Sequence, residues 1–139
     1  MTATESPRAV GSAVSLEINA EHHMIRVARL VASGLAAIAG FDLDAVEDLR
    51  IAVDEGCVWL IDEGDGSPLQ LACAVRDDSS VEVTGRSGRG TGDGMVGPLV
   101  AQIMAAACAL HRFEVGEATV SFTLISRTPI RHDDRPADG

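Results

Sequence analysis

Glu55 and Trp59 pose the first chemical question in this chain. They stand four residues apart in Glu47-Asp-Leu-Arg-Ile-Ala-Val-Asp-Glu-Gly-Cys-Val-Trp-Leu-Ile61. On a helix, Asp48, Ile51, Ala52, Glu55 and Trp59 share one face, because residues three and four apart lie above one another. A carboxyl group among apolar neighbours holds its proton more tightly, which is how a general base is brought toward neutral pH. The same spacing also fits a solvated helix residue, or a structural partner for Arg50 or Arg86. Gly56 interrupts the helical pattern at a cost of about 1 kcal/mol relative to alanine. A close neighbour, such as the first helix or a ligand, accounts for it, and so does simple drift.

The second chemical feature is Gly85-Arg-Ser-Gly-Arg-Gly-Thr-Gly-Asp-Gly94, a glycine-rich stretch running into a helix that starts near Gly97-Pro98. Glycines let backbone N–H groups converge on phosphate, above all just before a helix N-terminus. The phosphate-loop pattern is absent, since no Gly-Lys-Ser/Thr follows Gly88-Arg-Gly90 or Gly92-Asp-Gly94. A dinucleotide fold is excluded too, because the stretch follows a hairpin. The alternative is a solvated surface loop. His22 and His23 open the first helix, His111 ends the third and His132 lies in the tail; none has metal-ligand spacing to a cysteine or carboxylate. Gly85-Arg-Ser-Gly88 lacks the nucleophile-elbow spacing.

These groups need elements to position them. Val14 to Asn19 alternates apolar with polar, predicting a strand with Val14, Leu16 and Ile18 inward. A helix over about 20–39 follows, with Met24, Val27, Ala28, Val31, Leu35 and Ile38 on its stripe and Gly40 at its end. A second helix begins at Asp44, which with Glu47 reads as a capping box; Val46, Leu49, Val53, Cys57, Leu60 and Ile61 form its core face. Glu63-Gly-Asp-Gly-Ser-Pro68 stops it. Leu69 to Val75 and Val81 to Thr84 form a hairpin about Arg76-Asp-Asp-Ser-Ser80. A third helix, Pro98 to Leu110, is apolar on nearly every side and therefore expected to be buried, with Pro98 in its first turn. Arg112 to Val115 and Ala118 to Ile125 form a closing hairpin. The order β-α-α-β-β-loop-α-β-β predicts an α+β two-layer sandwich: a mostly antiparallel sheet with the helices on one face.

The 139 residues fit one domain. The reading is an arm over 1–12, a domain over 13–128 and a tail over 129–139. Apolar residues make up 46% and aromatics only 3%, so Leu, Val, Ile and Ala must fill the core and the helices must pack closely. The net charge of −10 disfavours direct nucleic-acid or anionic-membrane binding. It would steer in a basic protein partner, or serve solubility alone. Cys57, Cys73 and Cys108 form no Cys-x-x-Cys and sit in apolar stretches, as buried free thiols of a reducing compartment do. Met1 to Val10 has no signal core and no apolar run is long enough to span a membrane; the expectation is a soluble, cytoplasmic protein.

Taken together, the segments over about 14–127 resemble the anti-sigma regulatory factors related to RsbW and SpoIIAB, in particular their divergent actinobacterial relatives. The most specific stretch is Phe41-Asp-Leu-Asp-Ala-Val-Glu-Asp-Leu-Arg-Ile-Ala-Val-Asp-Glu55, which is similar to the helix leading into the family's N-box. The resemblance implies the Bergerat-type ATP-binding fold of the GHKL superfamily, with a mixed, mostly antiparallel sheet. It implies a switch protein of stress-response transcription that sequesters an alternative sigma factor and is released by a STAS-type anti-sigma antagonist. Active members use ATP and Mg²⁺ to phosphorylate a serine or threonine of that antagonist. Relatives are often homodimers, for which the third helix or an edge strand could serve.

Position by position, the resemblance places the presumed catalytic base at Glu55. The asparagine that helps hold Mg²⁺ falls at Trp59, whose indole offers an N–H and no oxygen. The adenine-reading aspartate falls at Gly85, which cannot accept an amino hydrogen. Its glycines fall near Ser87 and Arg89, and the second glycine box is partly matched at Gly97-Pro-Leu99. With Trp59, Gly85, Ser87, Gly88, Gly97 and Leu99 as the nucleotide-binding positions, the pocket reads as degenerate and ATP binding as weak or absent. The implied function is sequestration. The alternatives are an active Mg-ATP-dependent serine/threonine protein kinase and an interaction module that regulates something other than transcription.

Overall fold

The computed structural model describes residues 11–128. The assigned arm, apart from its last two residues, the tail from 129 onward and His132 lie outside the described residues. Ser12 already belongs to the sheet, its carbonyl accepting the Val75 N–H at 2.9 Å.

The elements are β1 (Ala13–Ile18), a 3-10 turn (His22–Met24), α1 (Ile25–Ile38), α2 (Leu43–Glu63), β2 (Leu69–Val75), β3 (Val81–Gly88), α3 (Pro98–Ala107), β4 (Leu110–Val115) and β5 (Thr119–Ser126). The strands form one sheet in the order β1-β2-β3-β5-β4. The sheet is antiparallel throughout rather than mixed, since all four of its ladders are antiparallel. Strand alternation sets the layers. Leu69, Leu71 and Cys73 of β2, Val81 and Val83 of β3, and Val120, Phe122 and Leu124 of β5 are buried on the helix side. Their neighbours Gln70, Ala72, Thr84, Arg86, Ser121 and Thr123 point to the other face.

The α1–α2 interface explains the small residues. Ala28, Ala32 and Ala36 of α1 are buried, as are Ala45 and Ala52 of α2, so the two helices approach closely, and Arg29 ties to Asp54 across them. This turns the α1 stripe away from the predicted one: Val27 and Ile38 are exposed, while Ile25, Ala32 and Ala36 are buried. The helix also starts later than expected, because the 3-10 turn takes up both histidines. It ends in a Schellman motif: Phe41 N–H reaches the Ala36 carbonyl at 3.0 Å and Gly40 N–H reaches that of Ala37 at 3.1 Å. Gly40 supplies the left-handed backbone (φ 86°) that this motif needs.

Three other boundaries and the burial of α3 differ from expectation for identifiable reasons. The cap of α2 is Asp42 rather than an Asp44–Glu47 box: its backbone is extended and its Oδ1 accepts the Ala45 N–H at 2.8 Å. Strand β3 continues four residues past Thr84, because β5 pairs with it through Gly85↔Phe122 to Gly88↔Thr119. The glycine-rich loop therefore begins only at Arg89. Helix α3 stops at Ala107, so His111 lies in β4 instead of ending a helix. Finally, α3 buries only Met104 and Ala107. It packs on α2 and β4 at the margin of the helix layer, so its other apolar sides stay open. Val14 is similarly half-exposed, since β1 is a sheet edge. Among the described residues, no helix is long and apolar enough to cross a membrane.

Candidate functional site

Gly56 and Gly85, two of the positions singled out in the sequence, face the space between α2 and the centre of the sheet. It is occupied by Phe122 of β5, fully buried. A Cβ on Gly56 would lie 2.9 Å from three atoms of that ring. A Cβ on Gly85 would lie 2.6 Å from the same ring, 2.7 Å from Leu71 and 3.0 Å from Leu60. The two glycines flank one aromatic side chain, so the neighbour that explains Gly56 is neither the first helix nor a ligand. Gly85 is glycine because nothing larger fits.

Trp59 closes the next turn of α2. Its buried indole N–H donates to the Met95 carbonyl at 3.3 Å. The ring tilts against Phe113 of β4, with centroids 4.8 Å apart and planes at 60°, a favourable aromatic geometry. Glu63, at the end of α2, completes the clamp. Its Oε1 accepts the Gly94 N–H at 2.8 Å and its backbone carbonyl accepts the Gly90 N–H at 2.8 Å. Gly92 lies directly on the carboxylate, where a Cβ would sit 2.4 Å from Oε1. The loop from Arg89 to Gly97 is thus a lid whose backbone is strapped to Trp59 and Glu63 of α2.

The remaining predicted positions are engaged elsewhere. Ser87 Oγ donates to the Ser67 carbonyl at 3.0 Å. Gly88 N–H donates to Ser67 Oγ at 3.1 Å, and the Gly88 carbonyl accepts the Asp65 N–H at 2.9 Å. The Ser67 hydroxyl and amide also hold the Asp65 carboxyl below the usual carboxylate range. The amides of Gly88, Gly90 and Gly94 therefore already have protein acceptors and do not converge on an open cradle. Gly97 caps α3 with nothing near its Cβ position, and Leu99 is 67% exposed.

Glu55 is half-buried in the middle of α2. Its carboxyl holds its proton more tightly than usual, chiefly through burial and then through the charge of Asp54. Neither suggested arginine partner reaches it: Arg50 pairs with Glu47 at 3.6 Å, and Arg86 donates from the opposite sheet face to Gln70 at 2.9 Å. Burial pushes the Cys57 thiol up to about 12, with Asp54 adding to the shift, and those of Cys73 and Cys108 to about 11. Among the described residues, no three His, Cys, Asp or Glu side chains cluster as metal ligands would. An open hollow of about 670 Å³ lies over the helix-free face, lined by Ser15, Glu17, Gln70, Thr84, Arg86 and Thr123 among others, and it includes neither Glu55 nor Trp59.

The structure thus keeps Glu55 and Trp59 on one helix face and joins Trp59 to the lid. Sequence reasoning missed Phe122, Glu63 and Met95. The inward phase of Phe122 in β5 was legible, but its position opposite two glycines distant in sequence was not. Glu63 read only as the start of a turn.

No family model matches the chain. It is similar to the serine-protein kinase RsbW of Bacillus velezensis, 32% identical over 75 residues, which is 54% of this chain and 41% of that protein. It is also similar to the RsbW kinase of Halalkalibacterium halodurans, 30% identical over 67 residues, or 47% and 41% of the two chains. The matched stretch spans about two fifths of each relative's length. The fold superposes on a crystal structure of RsbU and RsbW domains from Mycobacterium tuberculosis with a TM-score of 0.67 at 22% identity, covering 86% of this chain and 34% of that one. The architecture is accordingly an RsbW-like fold of the GHKL type.

Proposed function

We propose that the chain is a protein-binding regulator of the anti-sigma type, acting by sequestration, in which protein side chains stand where a nucleotide would. The observation that carries this reading is the Phe122 ring wedged between Gly56 and Gly85. Mg²⁺ demands oxygen ligands in near-octahedral geometry, and Trp59 has none to give; its single donor is engaged with Met95. Gly85 carries no carboxylate for adenine and has no room for one. These residues do not fit a magnesium–nucleotide.

The similarity to RsbW kinases supports the choice of partner in this reading. That partner is an alternative sigma factor, held by the surface of the domain and released when a STAS-type antagonist competes for the same protein. Such a role places the protein in the cytoplasm. The competing kinase reading has one feature in its favour, the proton affinity of Glu55. Calorimetric titration with Mg-ATP separates the two: the expected outcome is no binding tighter than about 1 mM, equivalent to roughly −4 kcal/mol. Micromolar affinity with phosphate transfer to the antagonist would establish the kinase instead. Titration with the sigma factor tests sequestration directly, and a complete lack of complex formation removes it.

A further inference from the structure

Helix α3 and the lid before it carry an unexplained surface. From Gly94 to Leu110 there is no charged residue. A helix apolar on nearly every side belongs in an interior, yet α3 buries only Met104 and Ala107. Leu99, Ile103 and Ala106 follow one another at helical spacing on its outer side. Leu99 is 67% exposed, and Met95 of the lid 70%.

Acidic side chains border this surface. Asp48, Glu55 and Asp62 stand at seven-residue intervals on α2, which makes one line along the helix. Asp48 shares a hollow of about 380 Å³ with Ala106, Ala107 and Cys108 at one end of α3. Near the other end Trp59, one turn from Glu55, bonds to Met95. The line therefore runs alongside α3. Asp93 accepts the Met95 N–H at 2.9 Å at the head of the surface. No Lys or Arg occurs from Gly90 to Leu110, and the lone arginine of α2, Arg50, pairs with Glu47. Two copies meeting through this surface would set acid against acid, which costs several kcal/mol.

We infer that Met95, Leu99, Ile103 and Ala106, bordered by Asp48, Glu55, Asp62 and Asp93, form a docking surface for an amphipathic helix of a protein partner whose apolar side is flanked by lysine or arginine. The inference rests on the partner-binding reading above. The Trp59 and Glu63 clamp holds the lid in place through the protein's own bonds, so this surface is displayed without a nucleotide. Pre-organisation of that kind lowers the cost of docking.

Trp59 is the only tryptophan and it touches the lid, so its fluorescence reports on this surface. The probes are two synthetic helical peptides with the same leucine ridge, one flanked by lysines and one by glutamates. The lysine peptide is expected to shift Trp59 emission saturably, to bind at least tenfold more tightly than the glutamate peptide, and to weaken as salt rises. Leu99→Asp should weaken its binding at least tenfold with an unchanged melting temperature, and Met95→Ser, which keeps the carbonyl bonded to Trp59, should weaken it as well. Equal affinity for the two peptides, no binding of the lysine peptide, or full binding by Leu99→Asp overturns the inference. So does a concentration-dependent dimer that Leu99→Asp dissolves. A sigma factor bound equally by wild type and Leu99→Asp removes this surface and leaves the proposed function standing. Peptide binding without sigma-factor binding does the reverse.

Discussion

The indole nitrogen of Trp59 lies 3.3 Å from the carbonyl oxygen of Met95, so the side chain at the position the resemblance gives to a metal-holding asparagine is a strut for the lid. Trp59→Phe keeps an aromatic ring against Phe113 but removes that bond and part of the buried ring, at about 1–3 kcal/mol in total. Amide exchange should then quicken at Gly94 and Gly90, the lid donors to Glu63, more than in the sheet. Trp59→Asn restores the asparagine but empties a core site; it should destabilise by about 3 kcal/mol or more and still bind no Mg-ATP by calorimetry. Nucleotide binding by that variant would show that the pocket is only blocked.

Two helix-interior glycines should respond oppositely to alanine. Gly34 in α1 has nothing within 4 Å of its Cβ position, so Gly34→Ala should stabilise by about 0.5–1 kcal/mol through helix propensity alone. Gly56→Ala makes the same propensity gain but drives a methyl to within 2.9 Å of the Phe122 ring. Overpacking of this kind costs about 1–3 kcal/mol, so the net change in urea unfolding should be a loss. Phe122→Leu in the Gly56→Ala background should recover part of it. A stabilising Gly56→Ala would mean the ring moves freely.

Gly85→Asp, which writes the family's adenine-reading residue back into β3, should be the most damaging single change in the sheet. Its Cβ meets Phe122 and Leu71 at 2.6 and 2.7 Å, and its carboxylate would be buried without a partner. Together these effects amount to at least ~3 kcal/mol, measurable as a lost or much lowered melting transition. A folded variant that gains ATP affinity would contradict the packing of Phe122.

These contrasts show which parts of the molecule the sequence made legible. Periodicity gave both hairpins and the continuous α2 helix, because each depends on residues near one another in the chain. The fate of α3 was not legible: an apolar pattern states what a helix could bury, and only the layer beside it decides what it does bury. The pairing of Gly56 and Gly85 with Phe122 was hidden for the same reason, since its three members come from α2, β3 and β5. Asp44 with Glu47 matches the capping-box pattern, yet the extended backbone at Asp42 makes that residue the cap.

The thiols provide a test of burial. Cys57 lies between α2 and the sheet with its pKa raised from 9.0 to about 12 by burial first. A proton held more tightly in the folded state stabilises fully below the unfolded value, and that contribution is lost as pH rises from 9.0 toward 12. Stability should therefore fall across this range and fall less in Cys57→Ala, once the cavity cost at neutral pH is subtracted. At pH 8, iodoacetamide should modify Cys108, which is half-buried, well before Cys57 or Cys73. Rapid modification of Cys57 in the native protein would place α2 farther from the sheet.

Glu55 decides between a tuned carboxyl and an ordinary surface charge. Its proton affinity is raised by burial and then by Asp54. The sign follows from linkage: the folded state binds this proton more tightly, so its contribution is complete below the ordinary value of 4.5 and disappears as pH climbs through the raised one. At neutral pH the ionised group is a burden on the fold. Glu55→Gln keeps the shape and removes the charge, so it should stabilise slightly at pH 7, within about 0.5 kcal/mol for a half-exposed site, and flatten the decline in stability above pH 4.5. Asp54→Asn acts from the neighbouring position by removing the second cause of the shift, but it also breaks the tie to Arg29. It should move the Glu55 titration, followed by carboxyl-carbon NMR, toward its ordinary value while lowering stability. A Glu55 that titrates at its ordinary value in the wild type would mean that its carboxylate faces open water.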